Sequence, residues 1–239
     1  DVALPDASDV APQLTGPLRA NGRLRQTEAG LVIDTDASGP FGARASVQGN
    51  VTPSVDVRFD LALPDVSPLA PQVNGPLNAF GKVRQTPQGF VVDTTARGPY
   101  GVRAVVEGLA TGPDMSLRFD VRMPDVAPLA PGFSGGLSAT GNLNQTPQGL
   151  AVNTNAFGPY NSRASVRGVV TGPDANVDFT LALPNVAALV PKLPGPLNVN
   201  GRANMTPRGW QVDTSLRGPS GTQASVAGLA GNDGRLDMA

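Results

Sequence analysis

One landmark returns four times at an almost fixed spacing. Leu4-Pro5-Asp6 recurs as Leu63-Pro64-Asp65, Met123-Pro124-Asp125 and Leu183-Pro184-Asn185, at intervals of 59, 60 and 60 residues. A period of this length makes each unit one supersecondary module that buries its apolar side only by stacking on neighbours. Other landmarks keep their offsets. Gly16, Gly75, Gly135 and Gly195 open a strand. Gln26-Thr27-Glu28-Ala29-Gly30, Gln85-Thr86-Pro87-Gln88-Gly89, Gln145-Thr146-Pro147-Gln148-Gly149 and Met205-Thr206-Pro207-Arg208-Gly209 close it. Gly39-Pro40, Gly98-Pro99, Gly158-Pro159 and Gly218-Pro219 mark the next turn. The repeats run over approximately 4–62, 63–122, 123–182 and 183–239, and residues 1–239 read as a single repeat domain.

The turns are short enough to join antiparallel strands as hairpins. Thr86-Pro87-Gln88-Gly89 puts Pro at i+1 and Gly at i+3, the layout of a type I turn, and Gly98-Pro99-Tyr100-Gly101 has the same layout. Thr111-Gly112-Pro113-Asp114 is a third turn, so each repeat reads as four strands, a to d. The connection from d to the next a is different. In Asp65-Val66-Ser67-Pro68-Leu69-Ala70-Pro71, Ser67 suits an N-cap and Pro68 the first helical position. The expectation is one helical turn with Val66 and Leu69 packed on one side, serving either as a local loop staple with no further function or as a plug or crossover between repeats.

Within the strands the residues alternate. Strand a of the second repeat puts Leu77, Ala79, Gly81 and Val83 on one phase, against Asn78, Lys82 and Arg84 on the other. The same apolar phase takes Leu24, Ile33, Val47, Val57 and Phe59 in the first repeat, and Val83, Phe90, Val92, Val106, Leu117 and Phe119 in the second. It takes Leu143, Val152, Val166, Val177 and Phe179 in the third, and Val212 and Val226 in the fourth. No charged residue falls on it. Period-two alternation this regular means a sheet with one polar and one apolar face, since strands buried on both sides read as continuous apolar runs. Gly22, Gly81, Gly141 and Gly201 stand mid-strand on the apolar phase of every strand a. Glycine there marks a bend or a close approach. Repeated along one line, it would fold the sheet into a trough. The fold class expected is therefore all-β: four repeats of antiparallel strands forming a curved sheet, or groove, with an apolar inner face. About fifteen strands at ~4.8 Å each would run on the order of 70 Å.

Composition removes several kinds of chemistry. The chain has no His and no Cys, which excludes a His-based triad, a Cys nucleophile, a zinc site with nitrogen or sulfur ligands, and any disulfide. With 18 Lys+Arg against 19 Asp+Glu, it lacks the basic excess of a nucleic-acid binder. No apolar run approaches the ~18 residues of a membrane span. The sequence starts without Met, and the expectation is a portion of a longer protein.

Two uses of the apolar face compete. Burying an acyl chain of ~16 carbons is worth roughly 12 kcal/mol at ~0.8 kcal/mol per methylene, so a continuous apolar path would carry lipid without chemistry. Alternatively, two walls of the sheet press together into a closed core about 10 Å thick. That second case leads to a structural or adhesive binding module, either a β-solenoid or a four-bladed propeller. Catalysis is not expected: Asp56 and Asp60, or Asp34 and Asp36, stand two apart on the polar phase, where solvated charge is the ordinary use. Asp114 and Asp174 each offer one carboxylate per turn, short of the 6–8 oxygens of a calcium site. No cofactor or metal is expected. Phe80 and Phe157, with Val32, Val91 and Val105, break the pattern on the polar phase, and Trp210 falls on the apolar one.

The cadence from Asp65-Val66-Ser67-Pro68-Leu69-Ala70-Pro71 to Gly75-Pro76-Leu77, and from Asp125-Val126-Ala127-Pro128-Leu129-Ala130-Pro131 to Gly136-Leu137, resembles the TamB branch of the AsmA-like family. The resemblance covers the whole chain. It implies a taco-shaped, apolar-lined β groove that carries phospholipid through the periplasm toward the outer membrane. It also implies a TamA-like outer-membrane barrel as partner, support of outer-membrane assembly, and inner-membrane anchoring through regions outside this chain.

Overall fold

A computed structural model describes residues 1–6, 16–28, 30–231 and 236–238; Ala29 and Ala239, used as repeat landmarks, lie outside the described residues. The chain divides into two compact units, Asp1–Gly112 and Pro113–Ala239. Both are all-β, and among the described residues the only helical pieces are single 3-10 turns.

The first unit holds β1 (Val2–Leu4), β2 (Leu18–Thr27), β3 (Gly30–Ser38), β4 (Arg44–Asn50), β5 (Asp56–Leu63), β6 (Leu77–Thr86), β7 (Gly89–Arg97) and β8 (Arg103–Leu109). Each strand pairs antiparallel with the next. The second unit holds β9 (Ser116–Met123), β10 (Leu137–Thr146), β11 (Gly149–Phe157), β12 (Arg163–Val169), β13 (Asn176–Leu183), β14 (Leu197–Thr206), β15 (Gly209–Arg217), β16 (Gln223–Gly231) and β17 (Leu236–Met238). They too pair in sequence order, all antiparallel. In neither unit does a described pairing join the first strand to the last, so neither sheet closes. The fifteen strands β2 to β16 are seven to ten residues long.

Three local expectations are corrected. The d-to-a segment is not a crossover: β5 and β6 pair directly over eight residues, Asp56↔Arg84 to Leu63↔Leu77, and the segment between them is a long hairpin loop, in keeping with the loop staple. Its cap is Asp65 rather than Ser67. The Asp65 carboxylate accepts from the Ser67 N–H (3.0 Å), the Ser67 hydroxyl (2.6 Å) and, across the loop, the Gly75 N–H (3.0 Å). The turn starts one residue later, with Leu69 and Ala70 N–H both donating to the Val66 carbonyl. Val66 is buried while Leu69 is 47% exposed. Asp125 and Asn185 repeat the same cap, Asn185 with a neutral amide.

The Gly-Pro turns differ from the Thr-Pro ones. Neither Pro87 nor Gln88 takes a positive φ, and the Thr86 hydroxyl donates to the Gly89 carbonyl at 2.8 Å. In Gly98-Pro99-Tyr100-Gly101, by contrast, Tyr100 (φ 58°) and Gly101 (φ 74°) are both left-handed, and Val102 N–H donates to the Pro99 carbonyl at 3.1 Å. Positive φ at both central residues is the mark of a type I′ turn, whose twist matches antiparallel strands. Pro99 therefore stands at i, not i+1. Phe41, Tyr160 and Ser220 take the same left-handed conformation in the other repeats.

What is buried lies mostly beneath the long loops. Leu63 and Val66 in the first unit, and Met123, Leu183 and Val186 in the second, make up most of the buried apolar set with Ala175, and no large side chain is fully buried among the described residues.

Candidate functional site

Direct cross-strand partners share a face, so the register assembles the apolar phase into rows. In the first unit the middle row is Gly22–Thr35–Val47–Phe59–Gly81–Thr94–Val106, each member paired to the next across β2 to β8. Beside it toward the Thr-Pro hairpins runs Leu24–Ile33–Gly49–Val57–Val83–Val92–Gly108. On its other side runs Ala20–Ala37–Ala45–Leu61–Ala79–Ala96–Ala104, also on the apolar phase.

The second unit repeats the arrangement across β9 to β16. Its middle row is Phe119–Gly141–Thr154–Val166–Phe179–Gly201–Thr214–Val226, and its outer row Leu117–Leu143–Val152–Gly168–Val177–Ala203–Val212–Gly228. All the lining residues expected from sequence fall in these rows except Phe90, which lies one row further out opposite Gln85. No member of the rows is charged.

Most large side chains in the rows are partly buried. None of their Val, Leu, Ile or Phe side chains counts as buried, and Leu24 is 67% exposed. A sandwich or propeller core would bury such side chains between two layers. Neither unit holds one among the described residues. The pairing of β5 with β6, and of β13 with β14, also runs across repeat boundaries, so the strands do not separate into blades. Every pairing is antiparallel, unlike the parallel rungs of a solenoid.

The mid-strand glycines stand where a neighbouring strand comes close. A Cβ on Gly22 would meet the Asp34 carbonyl at 2.7 Å and Thr35 Cα at 2.8 Å, and one on Gly81 would meet Thr94 Cα at 2.9 Å. At Gly141 it would meet Phe119 Cζ at 2.8 Å; at Gly201 the Phe179 ring fills the space, with Cε2 at 2.7 Å. The aromatic ring takes the place of the missing side chain, as in aromatic rescue of strand glycines.

The polar phase of the first unit lines a concavity of about 810 Å³. Its lining comes in triplets such as Asp36-Ala37-Ser38, Arg44-Ala45-Ser46 and Asn78-Ala79-Phe80. Two polar-phase residues flank one apolar-phase residue each time, which puts the opening on the polar side. The expected trough, with the apolar phase inside, is not where this hollow lies. Arg44 stands diagonally between Asp36 and Asp60 and pairs with neither. Phe80 and Phe157, the aromatic exceptions, are 40% and 54% exposed, with Arg97 and Arg163 each 5.9 Å above the ring centre. Such cation–π contacts give an exposed ring a partner on its own surface. Among the described residues no group of three carboxylates is placed to hold a metal.

Comparison with family models, with curated proteins and with solved structures finds no match.

Proposed function

We propose that the uncharged strand faces carry lipid acyl chains. The observation behind this reading is the combination of adjacent rows without a charge and large side chains in them that are partly exposed, none of them buried. An apolar face of this extent, left uncovered, suits an apolar ligand. Tails lying on it leave water, while a headgroup stays solvated at the rim. The mechanism is passive: no bond is made or broken, and the absence of any charge along the rows keeps the path free of steps that would trap or repel a chain. The resemblance to the TamB branch extends the proposal to phospholipid as cargo, the periplasm as location, and a TamA-like barrel and the two membranes as partners.

Photo-crosslinking tests this. A photoreactive side chain at Val106, Leu117 or Val166 is expected to capture phospholipid in cells, whereas Arg103 and Arg118 as polar-face controls are not. Capture at none of the apolar sites in a folded protein rejects the carrier reading.

A second reading rests on the polar-face concavity. Arg19, Arg44, Asp36, Asp60 and the exposed Phe80 line a hollow of a size that small ligands occupy. It would make the first unit a binding module for a polar ligand, and a photoreactive side chain at Arg44 that captures a polar small molecule, with no lipid captured at Val106, Leu117 or Val166, would favour it.

A further inference from the structure

The four repeats act as internal controls: what the fold needs recurs at the same place in each, and what departs is not needed by the fold. The polar-phase hollow of the first unit gathers departures. Asp36 stands where the later repeats hold Thr95, Asn155 and Ser215. Phe80 stands where the others hold Asn21, Thr140 and Asn200. Asp60 and Ala62 stand where the next repeat holds Asp120 and Arg122. There Arg122 neutralises its neighbour's carboxylate through two bonds, at 2.9 and 3.0 Å. With alanine in that place Asp60 has no ion pair among the described residues, and the small side chain leaves the hollow open. Arg19, Asp36 and Arg44 are likewise without an ion pair among the described residues.

The hollow crosses β1 to β6, about 24 Å at ~4.8 Å per strand. Along it guanidinium and carboxylate alternate strand by strand, Arg19, Asp36, Arg44 and Asp60, and the Phe80 ring, 40% exposed, ends the series. An arginine only donates and a carboxylate only accepts. A simple anion or cation is therefore matched by half of these groups and repelled by the rest. A hydroxyl both donates and accepts, so a ligand carrying hydroxyls along its length answers all of them. The aromatic ring adds an apolar face, negative at its centre, for C–H bonds to lie against. Sugar rings combine these two features, hydroxyls at the edge and C–H bonds on the face. We infer that this hollow binds a neutral, linear oligosaccharide lying across the strands. The inference rests on the polar-ligand reading of the hollow and gives that ligand a chemical class. Asp60 and Phe80 also line a second hollow of about 250 Å³ with Lys82 and Asp93, which continues the path onto β7.

Titration calorimetry of the full chain with cellohexaose and maltohexaose, and with cellobiose and maltose, is the test. At least one hexasaccharide is expected to bind, and its disaccharide about 10-fold more weakly, because the shorter sugar reaches only part of the hollow. Phe80→Ala is expected to weaken binding about 3- to 10-fold. Phe157→Ala, which removes an exposed ring of the second unit, is expected to leave it unchanged. Ala62→Arg copies the Asp120–Arg122 pair into the first repeat. It is expected to fold, as checked by circular dichroism, and to abolish binding, since the new guanidinium takes Asp60 and fills the space. If neither hexasaccharide binds the native chain, or if Phe80→Ala or Ala62→Arg binds as the native chain does, the sugar assignment is wrong. A photoreactive side chain at Arg44 keeps the two readings apart. Capture of a polar small molecule by a chain that binds neither hexasaccharide leaves the polar-ligand reading standing; no capture in such a chain removes both.

Discussion

The Tyr100 hydroxyl donates to Asn74 Oδ1 at 2.7 Å, tying the tip of a Gly-Pro hairpin to the long loop that precedes it by 26 residues. Tyr160 reaches the corresponding loop of the next repeat through the Gly132 carbonyl and the Ser134 N–H, both at 3.4 Å. Phe41 and Ser220 take the same left-handed conformation without this bond, so the turn itself does not depend on it. The conformation costs about 1–2 kcal/mol, and the ring and hydroxyl offset it by holding the loop.

Removing the hydroxyl tests that balance. Tyr100→Phe is expected to lower stability by about 1 kcal/mol, the net worth of one hydrogen bond, without altering the turn, because Phe41 holds the same φ in the first repeat. Amide hydrogen exchange at Asn74 and Gly75 should accelerate while exchange in β6 stays slow. Tyr100→Val is expected to cost more, since a β-branched side chain tolerates positive φ poorly. If Tyr100→Phe leaves loop exchange unchanged, the clamp is not what holds the segment.

The loop caps make stability depend on acid. The Ser67 hydroxyl, then the Gly75 and Ser67 N–H groups, hold the Asp65 carboxyl below the usual carboxylate range; Gly135 and then Ala127 N–H do the same for Asp125. A depressed folded pKa stabilises the fold above the unfolded pKa of about 3.9. That contribution is lost as pH falls through the folded value. Asn185 performs the same bonding without titrating. Asp65→Asn with Asp125→Asn is therefore expected to fold and to show a flatter urea midpoint between pH 6 and pH 3 than the native chain. An unchanged slope would mean that other carboxylates set the acid sensitivity.

Gly201 and Gly22 face different obstacles. Around Gly201 the nearest atoms are all in the Phe179 ring, whereas around Gly22 two of the three are backbone. Alanine at either site is expected to cost about 1–3 kcal/mol by overpacking. At Gly201 much of that cost should vanish in a Phe179→Leu background, a coupling measurable as a double-mutant cycle. At Gly22 removing the Thr35 hydroxyl should relieve only part of it, because the Asp34 carbonyl and Thr35 Cα stay in place. Equal penalties for Gly201→Ala in both backgrounds would show that the ring is not the obstacle.

Much of this was legible in the residues. Val83 and Val92 pair face to face as the period-two pattern requires, and the 60-residue spacing places successive loops correctly. Two local misreadings share a physical origin. Proline position suggested a type I turn at Pro99 and an N-cap at Ser67, because both rules use only adjacent residues. The structure overrides each: the Gly-Pro turn is left-handed at both residues after the proline in every repeat, and Asp65 caps by reaching the Gly75 N–H ten residues away. The location of the concavity was illegible for another reason. Alternation says which residues share a face; it does not say on which face a sheet hollows, and in the first unit the hollow opens over Arg44 and Asp60.

A charge on the strand face separates an open surface from a core. Val166 lies in the middle row of the second unit and is only half-buried, whereas Leu183 is 6% exposed beneath the loop. On an open face a lysine keeps its ammonium in water and lays its stem along the neighbouring side chains. Val166→Lys is therefore expected to cost less than about 1 kcal/mol, as surface substitutions do. Leu183→Ala, which leaves a void in packed surroundings, is expected to cost about 2–4 kcal/mol. Urea unfolding of the two variants, followed by circular dichroism, gives the comparison. The same Val166→Lys protein should then lose binding of an apolar fluorophore, N-phenylnaphthylamine, since the charge interrupts the apolar row without unfolding it. A Val166→Lys chain that unfolds like a core variant would mean that another layer covers this face, and lipid carriage along it would be untenable.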